Sequence, residues 1–292
     1  MKRLLFLLVP LLLAPVTLRA AVFAPAAEYP VGRQPFKIVA ADLDGDGDTD
    51  LAAAEYGGDR VVILLNRGDG TFEGGASPAV GRIPYQLAAA DLDGDGDTDL
   101  VTSDMVSGAF SVLRNRGDAT FAAAVSQATC AGPFGLAVAD LDGDGRPDVA
   151  ILGNLGEVRI HLNDGHGGFG EGVPHAVGFY GSSITVAEVT GDGRPDLLVS
   201  TATAGGLQLL AGLGGGLFAD PVLLPLDFPP GASAAADVDG DGRQDLLVAA
   251  NDGDFCVRVL AGGATGPSAP WEGSPRGGGR ITSGRPTWTG TG

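Results

Sequence analysis

An acidic nine-residue stretch recurs five times along the chain at almost constant spacing, and no other feature limits the fold so tightly. Residues 42–50 read Asp-Leu-Asp-Gly-Asp-Gly-Asp-Thr-Asp, and counterparts begin at Asp91, Asp140, Glu188 and Asp237. The steps between first residues are 49, 49, 48 and 49. Self-similarity at such a period marks a repeat architecture, in which each unit is one supersecondary element that buries its apolar face against its neighbours.

Carboxylates at positions 1, 3, 5 and 9 of the stretch converge only if the chain turns sharply between them. Glycine stands at position 6 in every copy, as Gly47, Gly96, Gly145, Gly193 and Gly242, and supplies the positive φ such a turn needs. Oxygen ligands crowded this closely repel one another unless a cation lies among them. Four carboxylates with a position-7 backbone carbonyl suit Ca²⁺ better than the octahedral, water-retaining Mg²⁺. An EF-hand opens on a similar pattern but requires a bidentate Glu at position 12 and flanking helices. Position 12 here is Ala53, Thr102, Ile151, Val199 or Val248, inside short apolar runs of strand length. The loops therefore join strands.

The repeat unit has further parts. Six residues before each loop stand Phe36, Tyr85, Phe134, Ser182 and Gly231, and the Ala-rich segment between reads as an innermost strand. A second strand follows the loop. Third strands are expected at residues 61–66, 110–115, 158–163, 207–211 and 256–261, and fourth strands opening on Phe72, Phe121, Phe169 and Phe218. Four short strands per unit of this length, with Gly-rich turns, describe an all-β propeller of about five four-stranded blades, with the metal loops between strands 1 and 2. Each of those four Phe residues lies 19 positions before the next acidic loop, as Phe23 does before Asp42, while Pro267 takes the place of a fifth. Residues 22–31 are thus expected to supply the outermost strand of the last blade and close the ring, covering an open edge.

The ends differ from the middle. Residues 1–20 carry Lys2 and Arg3, then a short apolar run broken by Pro10 and Pro15 and a small-residue boundary at Ala20, the pattern of a secretory signal peptide. Residues 263–292 are rich in Gly and Pro without apolar alternation and read as a disordered tail, leaving residues 21–262 as the repeat domain. The formal charge is −18, and loss of Lys2, Arg3 and Arg19 with the signal makes it −21. The five loops hold 21 of the 36 acidic residues, so the acidity belongs to the metal sites. Such a balance argues against nucleic-acid binding.

On Asp-x-Asp-Gly-Asp-Gly-x-x-Asp followed by an apolar strand, and on Asn-x-Gly-Asp-Gly-x-Phe at residues 66–72 with its near copy at 115–121, residues 22–262 resemble the FG-GAP and VCBS repeats of integrin α-subunit propellers and bacterial exported proteins. The resemblance implies one Ca²⁺ per blade. Its ligands would be Asp42, Asp44, Asp46, Asp48 (backbone) and Asp50 in the first blade, and Asp91, Asp93, Asp95, Asp97 and Asp99 in the second. Asp140, Asp142, Asp144, Arg146 (backbone) and Asp148 would serve the third, and Asp237, Asp239, Asp241, Arg243 (backbone) and Asp245 the fifth. The fourth set, Glu188, Thr190, Asp192, Arg194 (backbone) and Asp196, departs from the pattern and is expected to be weakest. In the integrin relatives the face opposite the metal loops meets partners. Phe36, Tyr85, Phe134, Tyr180 and Phe228 fall on that face by phase, either as a partner-binding rim or as a plug for the channel mouth.

Other signals carry less. Arg67-Gly-Asp69 and Arg116-Gly-Asp118 occupy a turn that asks for Gly and Asp. His161, His166 and His175 form no catalytic set, and Glu55, Glu157 and Glu171 read as exposed-turn carboxylates. Cys130 and Cys256 fall at different depths of non-adjacent blades and read as two buried free thiols. The expectation is a monomeric, Ca²⁺-stabilised protein-binding or adhesion module, secreted or held in the periplasm or at the cell surface, not an enzyme, whose partner is an extracellular protein or glycan. The alternative is a carbohydrate-binding or polysaccharide lyase-type protein acting on acidic glycans.

Overall fold

The computed structural model describes residues 26–178, 181–201, 205–252 and 256–262. The chain divides into two compact units at Pro30 and Val31. The described residues of the first, 26–30, carry no strand. The expected signal peptide and the expected tail lie outside the described residues.

The second unit is all-β. Its first sheet orders β1 (Pro35–Ala41), β2 (Asp50–Glu55), β3 (Arg60–Asn66) and β4 (Phe72–Gly74) as an antiparallel meander. The second repeats it with β5 (Pro84–Ala90), β6 (Asp99–Asp104), β7 (Ala109–Leu113) and β8 (Val125–Ala128), and the third with β9 (Pro133–Ala139), β10 (Asp148–Gly153), β11 (Glu157–His161) and β12 (Val173–Ala176). In the fourth, β13 (Gly181–Ala187), β14 (Asp196–Thr201) and β15 (Gly206–Leu210) are followed by a small hairpin, β16 (Gly212–Gly214) and β17 (Leu217–Phe218), before the outer strand β18 (Val222–Pro225). The fifth has three described strands, β19 (Pro230–Ala236), β20 (Asp245–Ala250) and β21 (Val257–Leu260). First strands of successive sheets pack on one another, β1 on β5, β5 on β9, β9 on β13 and β13 on β19. This is a propeller-like repeat fold.

The core lies between sheets. Ala52, Ala54, Val61 and Ile63 of the first sheet meet Leu87, Leu100 and Leu113 of the second. On its other face the second sheet offers Val101, Phe110 and Val112 to Val149 and Ile151 of the third. Central strands buried on both faces account for the continuous apolar runs after each loop.

Two expectations are corrected. The conserved-phase Phe opens the outer strand only in the first sheet. Phe121 and Phe169 instead form single bridges to Asn115 and Asn163, Phe218 closes the β16–β17 hairpin, and the outer strands start about four residues later. The ring of Phe169 packs edge-on against Phe110 of the preceding sheet, 5.5 Å between centroids, so this residue works as an inter-sheet wedge. Second, the ring does not close among the described residues. Residues 26–31 form no strand, residues 22–25 lie outside the described set, and among the described residues the first and fifth sheets share no packing comparable to that of consecutive sheets. The loop's second residue records the difference. Leu43, Leu92 and Leu141 are 1%, 1% and 2% exposed beneath the next sheet, whereas Val238 of the last loop is 52% exposed.

Candidate metal centres and the opposite face

Each loop is folded by its own carboxylates. In the first, Asp42 accepts the N–H groups of Gly45 (2.8 Å) and Gly47 (3.0 Å), and Asp44 accepts that of Asp46 (3.2 Å). Asp50 is buried and accepts N–H groups from Leu43 (3.0 Å) and, across the sheet, Asn66 (2.7 Å). Gly45 and Gly47 have φ of +77° and +91°, which lets the chain coil round the carboxylates. The second, third and fifth loops repeat these bonds.

The result is four sets of three carboxylates whose oxygens lie within 4.8 Å of one another: Asp42, Asp44 and Asp50; Asp91, Asp93 and Asp99; Asp140, Asp142 and Asp148; Asp237, Asp239 and Asp245. Position 5 stands outside each set and accepts the position-7 N–H instead, as Asp46 does from Asp48 at 2.8 Å. Arg146, Arg194 and Arg243 also turn their side chains onto the position-5 carboxylates Asp144, Asp192 and Asp241. The fourth loop forms no such set among the described residues: Glu188 accepts from Gly191, and Thr190 leaves its buried hydroxyl without a partner.

The donors fit a hard cation. In the second loop Asp93 Oδ1 is buried with no hydrogen-bond partner, a state that costs free energy unless something positive sits against it. Burial pushes Asp99 up to about 6 and also raises Asp93, Asp44 and Asp148. Asp245, on the loop that no following sheet covers, is instead held low by the N–H groups of Gly262 and Val238. The next sheet thus reduces solvent access to carboxylates of the first three loops.

That cover is hydrogen-bonded as well as apolar, through residues the sequence reading used only as turn markers. Asn115 Nδ2 donates to Leu43 O of the preceding loop (2.7 Å) and to Thr98 O of its own (2.9 Å), and Asn163 does the same to Leu92 O (2.8 Å) and Pro147 O (2.9 Å). Asn66, with no sheet before it, donates only to Thr49 O. In the Arg67-Gly-Asp69 turn, Asp69 accepts from Thr71 N and Oγ1 and Arg67 pairs with Glu73, so local turn chemistry occupies both ends of the tripeptide.

The far ends of the sheets bring aromatic residues together. Phe36 lies 4.1 Å from Tyr85 between ring centroids, Tyr85 lies 6.3 Å from Phe134 edge-on, and Tyr56, which the sequence did not single out, stands 6.2 Å from Phe36. Phe36 is 53% exposed. Tyr180 lies outside the described residues. Phe228 does not join this group: it is buried among Leu246, Val248 and Ala250 with the Arg258 guanidinium 4.2 Å over its ring. Glu55 is likewise buried rather than exposed, bonded to Arg33 N and Arg60, which hold it below the usual carboxylate range. Cys130 is buried with its thiol pushed up to about 11, whereas Cys256 is exposed, and both are free. His161 is buried between Thr129 and Gly170, and burial lowers it below the usual imidazole range.

The pattern of the FG-GAP-like repeat matches residues 42–102, 91–151, 140–199 and 189–248. The chain belongs to that family. FG-GAP-like repeats thus fill the second unit from its first acidic loop to its last. No curated protein matches the chain. Among solved structures, it is similar to a lectin of Agrocybe aegerita that recognises non-reducing terminal N-acetylglucosamine, at 23% identity and a TM-score of 0.54, over 77% of this chain and 66% of the lectin. It is also similar to BBS1N in complex with ARL6DN, at 14% identity and a TM-score of 0.56, over 83% of this chain and 68% of that one. The FG-GAP chain described here therefore spans about two thirds of these relatives. Among the described residues no helix is long and apolar enough to cross a membrane.

Proposed function

We propose that this FG-GAP-like chain is an exported, Ca²⁺-stabilised binding module that captures an extracellular protein or glycan on the face opposite its acidic loops. The observation that carries the reading is the contiguous group of Phe36, Tyr85 and Phe134, drawn from three successive sheets and open to solvent at Phe36. Solvent-exposed aromatic groups on a rigid scaffold are what binding surfaces are built from. The carboxylates at positions 1, 3 and 9 of the first, second, third and fifth loops would hold the ions, which supply charge neutralisation and loop order. The two lines of chemistry are separate: metal maintains the sheets, and the rim meets the partner.

The test is a pair of variants, Tyr85→Ala and Phe134→Ala, screened against glycan and extracellular-protein arrays beside the parent chain. Capture by the parent that the variants lose, at nearly unchanged melting temperature, supports the rim as the site. Capture that survives both variants places binding elsewhere.

A further inference from the structure

The aromatic residues of the rim are not isolated. Phe36 and Tyr85 end the same four-residue pattern in adjacent blades, Arg33-Gln-Pro-Phe36 and Arg82-Ile-Pro-Tyr85, and the third blade has Ala131-Gly-Pro-Phe134. The second residue of each is held at positive φ: Gln34 at +57°, Ile83 at +60° and Gly132 at +55°. Only the last is glycine. A β-branched residue in the left-handed region is a rare and costly conformation, maintained where the surroundings over-determine it and often where a binding surface is being shaped.

The surroundings do over-determine it. Arg33 donates its N–H to Glu55 and its carbonyl accepts from Gly57 N (3.1 Å), while Gln34 O accepts from Tyr56 N (3.2 Å). In the next blade Arg82 N donates to Ser107 Oγ (2.8 Å), Ile83 N to Asp59 Oδ1 (2.8 Å), and their carbonyls accept from Val106 N and Met105 N. The main chain at both Arg positions is therefore fully engaged. Both Arg side chains are exposed and neither lies in an ion pair among the described residues, in a chain of formal charge −18.

We infer that the two Arg-x-Pro-aromatic turns form a paired subsite for a carboxylate-bearing oligosaccharide. This rests on the rim reading above and names its ligand class. With the main-chain groups of Arg33, Arg82 and Ile83 and the Gln34 carbonyl already bonded, the turns offer a ligand ring faces and planar guanidinium forks in each of two neighbouring blades, with the exposed Lys37 ammonium beside Phe36. A polymer of uronate rings presents the complement: C–H faces to lie on the aromatic rings and a carboxylate on each unit for bidentate capture by Arg. An extended peptide would seek main-chain hydrogen bonds, and the Arg33 and Arg82 main-chain groups at these turns are already engaged.

The full chain, with Ca²⁺ present, is titrated with a hexameric uronate oligosaccharide, a neutral hexasaccharide and a polyglutamate peptide, beside the double variants Arg33→Ala/Arg82→Ala and Phe36→Ala/Tyr85→Ala. The expected result is uronate binding that weakens with added salt, at least tenfold loss in either variant, and weak binding of the other two probes. The Arg side chains are solvent-exposed, so that variant should melt with the parent. Equal binding of the neutral sugar, unaffected by the Arg variant but lost in the aromatic one, overturns the charge selectivity and leaves the rim reading standing. Uronate binding that survives both variants places the sugar elsewhere on the chain and overturns the subsite. Equal binding of polyglutamate overturns the saccharide class, and no binding of uronate at all overturns the proposal. The rim reading falls separately, if the aromatic variant alters capture of no ligand found on the arrays.

Discussion

At the scale of single residues, two buried polar groups show how position decides energy. Asp104 ends β6 fully buried, bonded to Thr102 Oγ1 (2.8 Å) and Ser111 Oγ (2.5 Å), and burial raises it to about 6 from an ordinary 3.8. Its folded form holds a proton that the unfolded chain has released between those values. The stabilisation is complete below pH 3.8 and is lost as pH rises through about 6, amounting to about 3 kcal/mol at most. Asp104→Asn should flatten the stability profile between about pH 4 and 6, read as the difference between parent and variant urea midpoints across that range. Identical slopes would show that Asp104 titrates normally. Asn115 and Asn66 occupy equivalent positions, but only Asn115 bridges two loops. Asn115→Ala removes both bonds; Leu43 O keeps the N–H of Ala119 (2.9 Å) but the half-buried Thr98 O loses its partner, so the variant should cost about 1–3 kcal/mol, against under about 1 kcal/mol for Asn66→Ala; equal costs in denaturant melts would contradict the inter-sheet clamp.

At the scale of the element, the acidic loop is the unit that differs from an ordinary β-turn. Most of its carboxylates accept the loop's own N–H groups, and one oxygen from each of three of them still lies within 4.8 Å of the others, so negative charge is concentrated at one point. Ca²⁺ in excess of its Kd should raise the melting temperature and EDTA should lower it. Native mass spectrometry should count four ions readily and a fifth only at higher concentration, because the Glu188 loop lacks the third carboxylate. Asp99→Asn should remove one ion from that count. An unchanged melt with no ion retained would mean the loops are acidic turns and nothing more.

At the scale of the whole molecule, stability resides between sheets, so the end surfaces should behave unlike the inner ones. Leu92 and Val238 are equivalent by repeat phase but lie 1% and 52% exposed. Leu92→Ala should cost about 2–5 kcal/mol and Val238→Ala no more than about 0.5 kcal/mol. A large cost at Val238 would show that another surface covers the last loop in solution. Much of this architecture was legible from the 49-residue period and the strand-length runs after each loop, because both are local patterns repeated in register. The clustering of the carboxylates at positions 1, 3 and 9 was legible too, whereas position 5, expected among the ligands, accepts the position-7 N–H. Missed were Tyr56, the clamping Asn side chains and the inward turn of Phe228, all of which depend on contacts between sheets.

The division has one physical origin. Gly at positive φ, Asx-type bonds and alternation of apolar residues act over a few neighbours, so the sequence alone determined that the chain is a strand repeat with acidic loops between first and second strands. Which surface of each sheet is covered depends on a neighbour some fifty residues away. Only the tertiary structure decided that Val238 lies open, that Phe36 and Tyr85 touch, that Phe228 is core, and that among the described residues the fifth sheet does not pack on the first as consecutive sheets do.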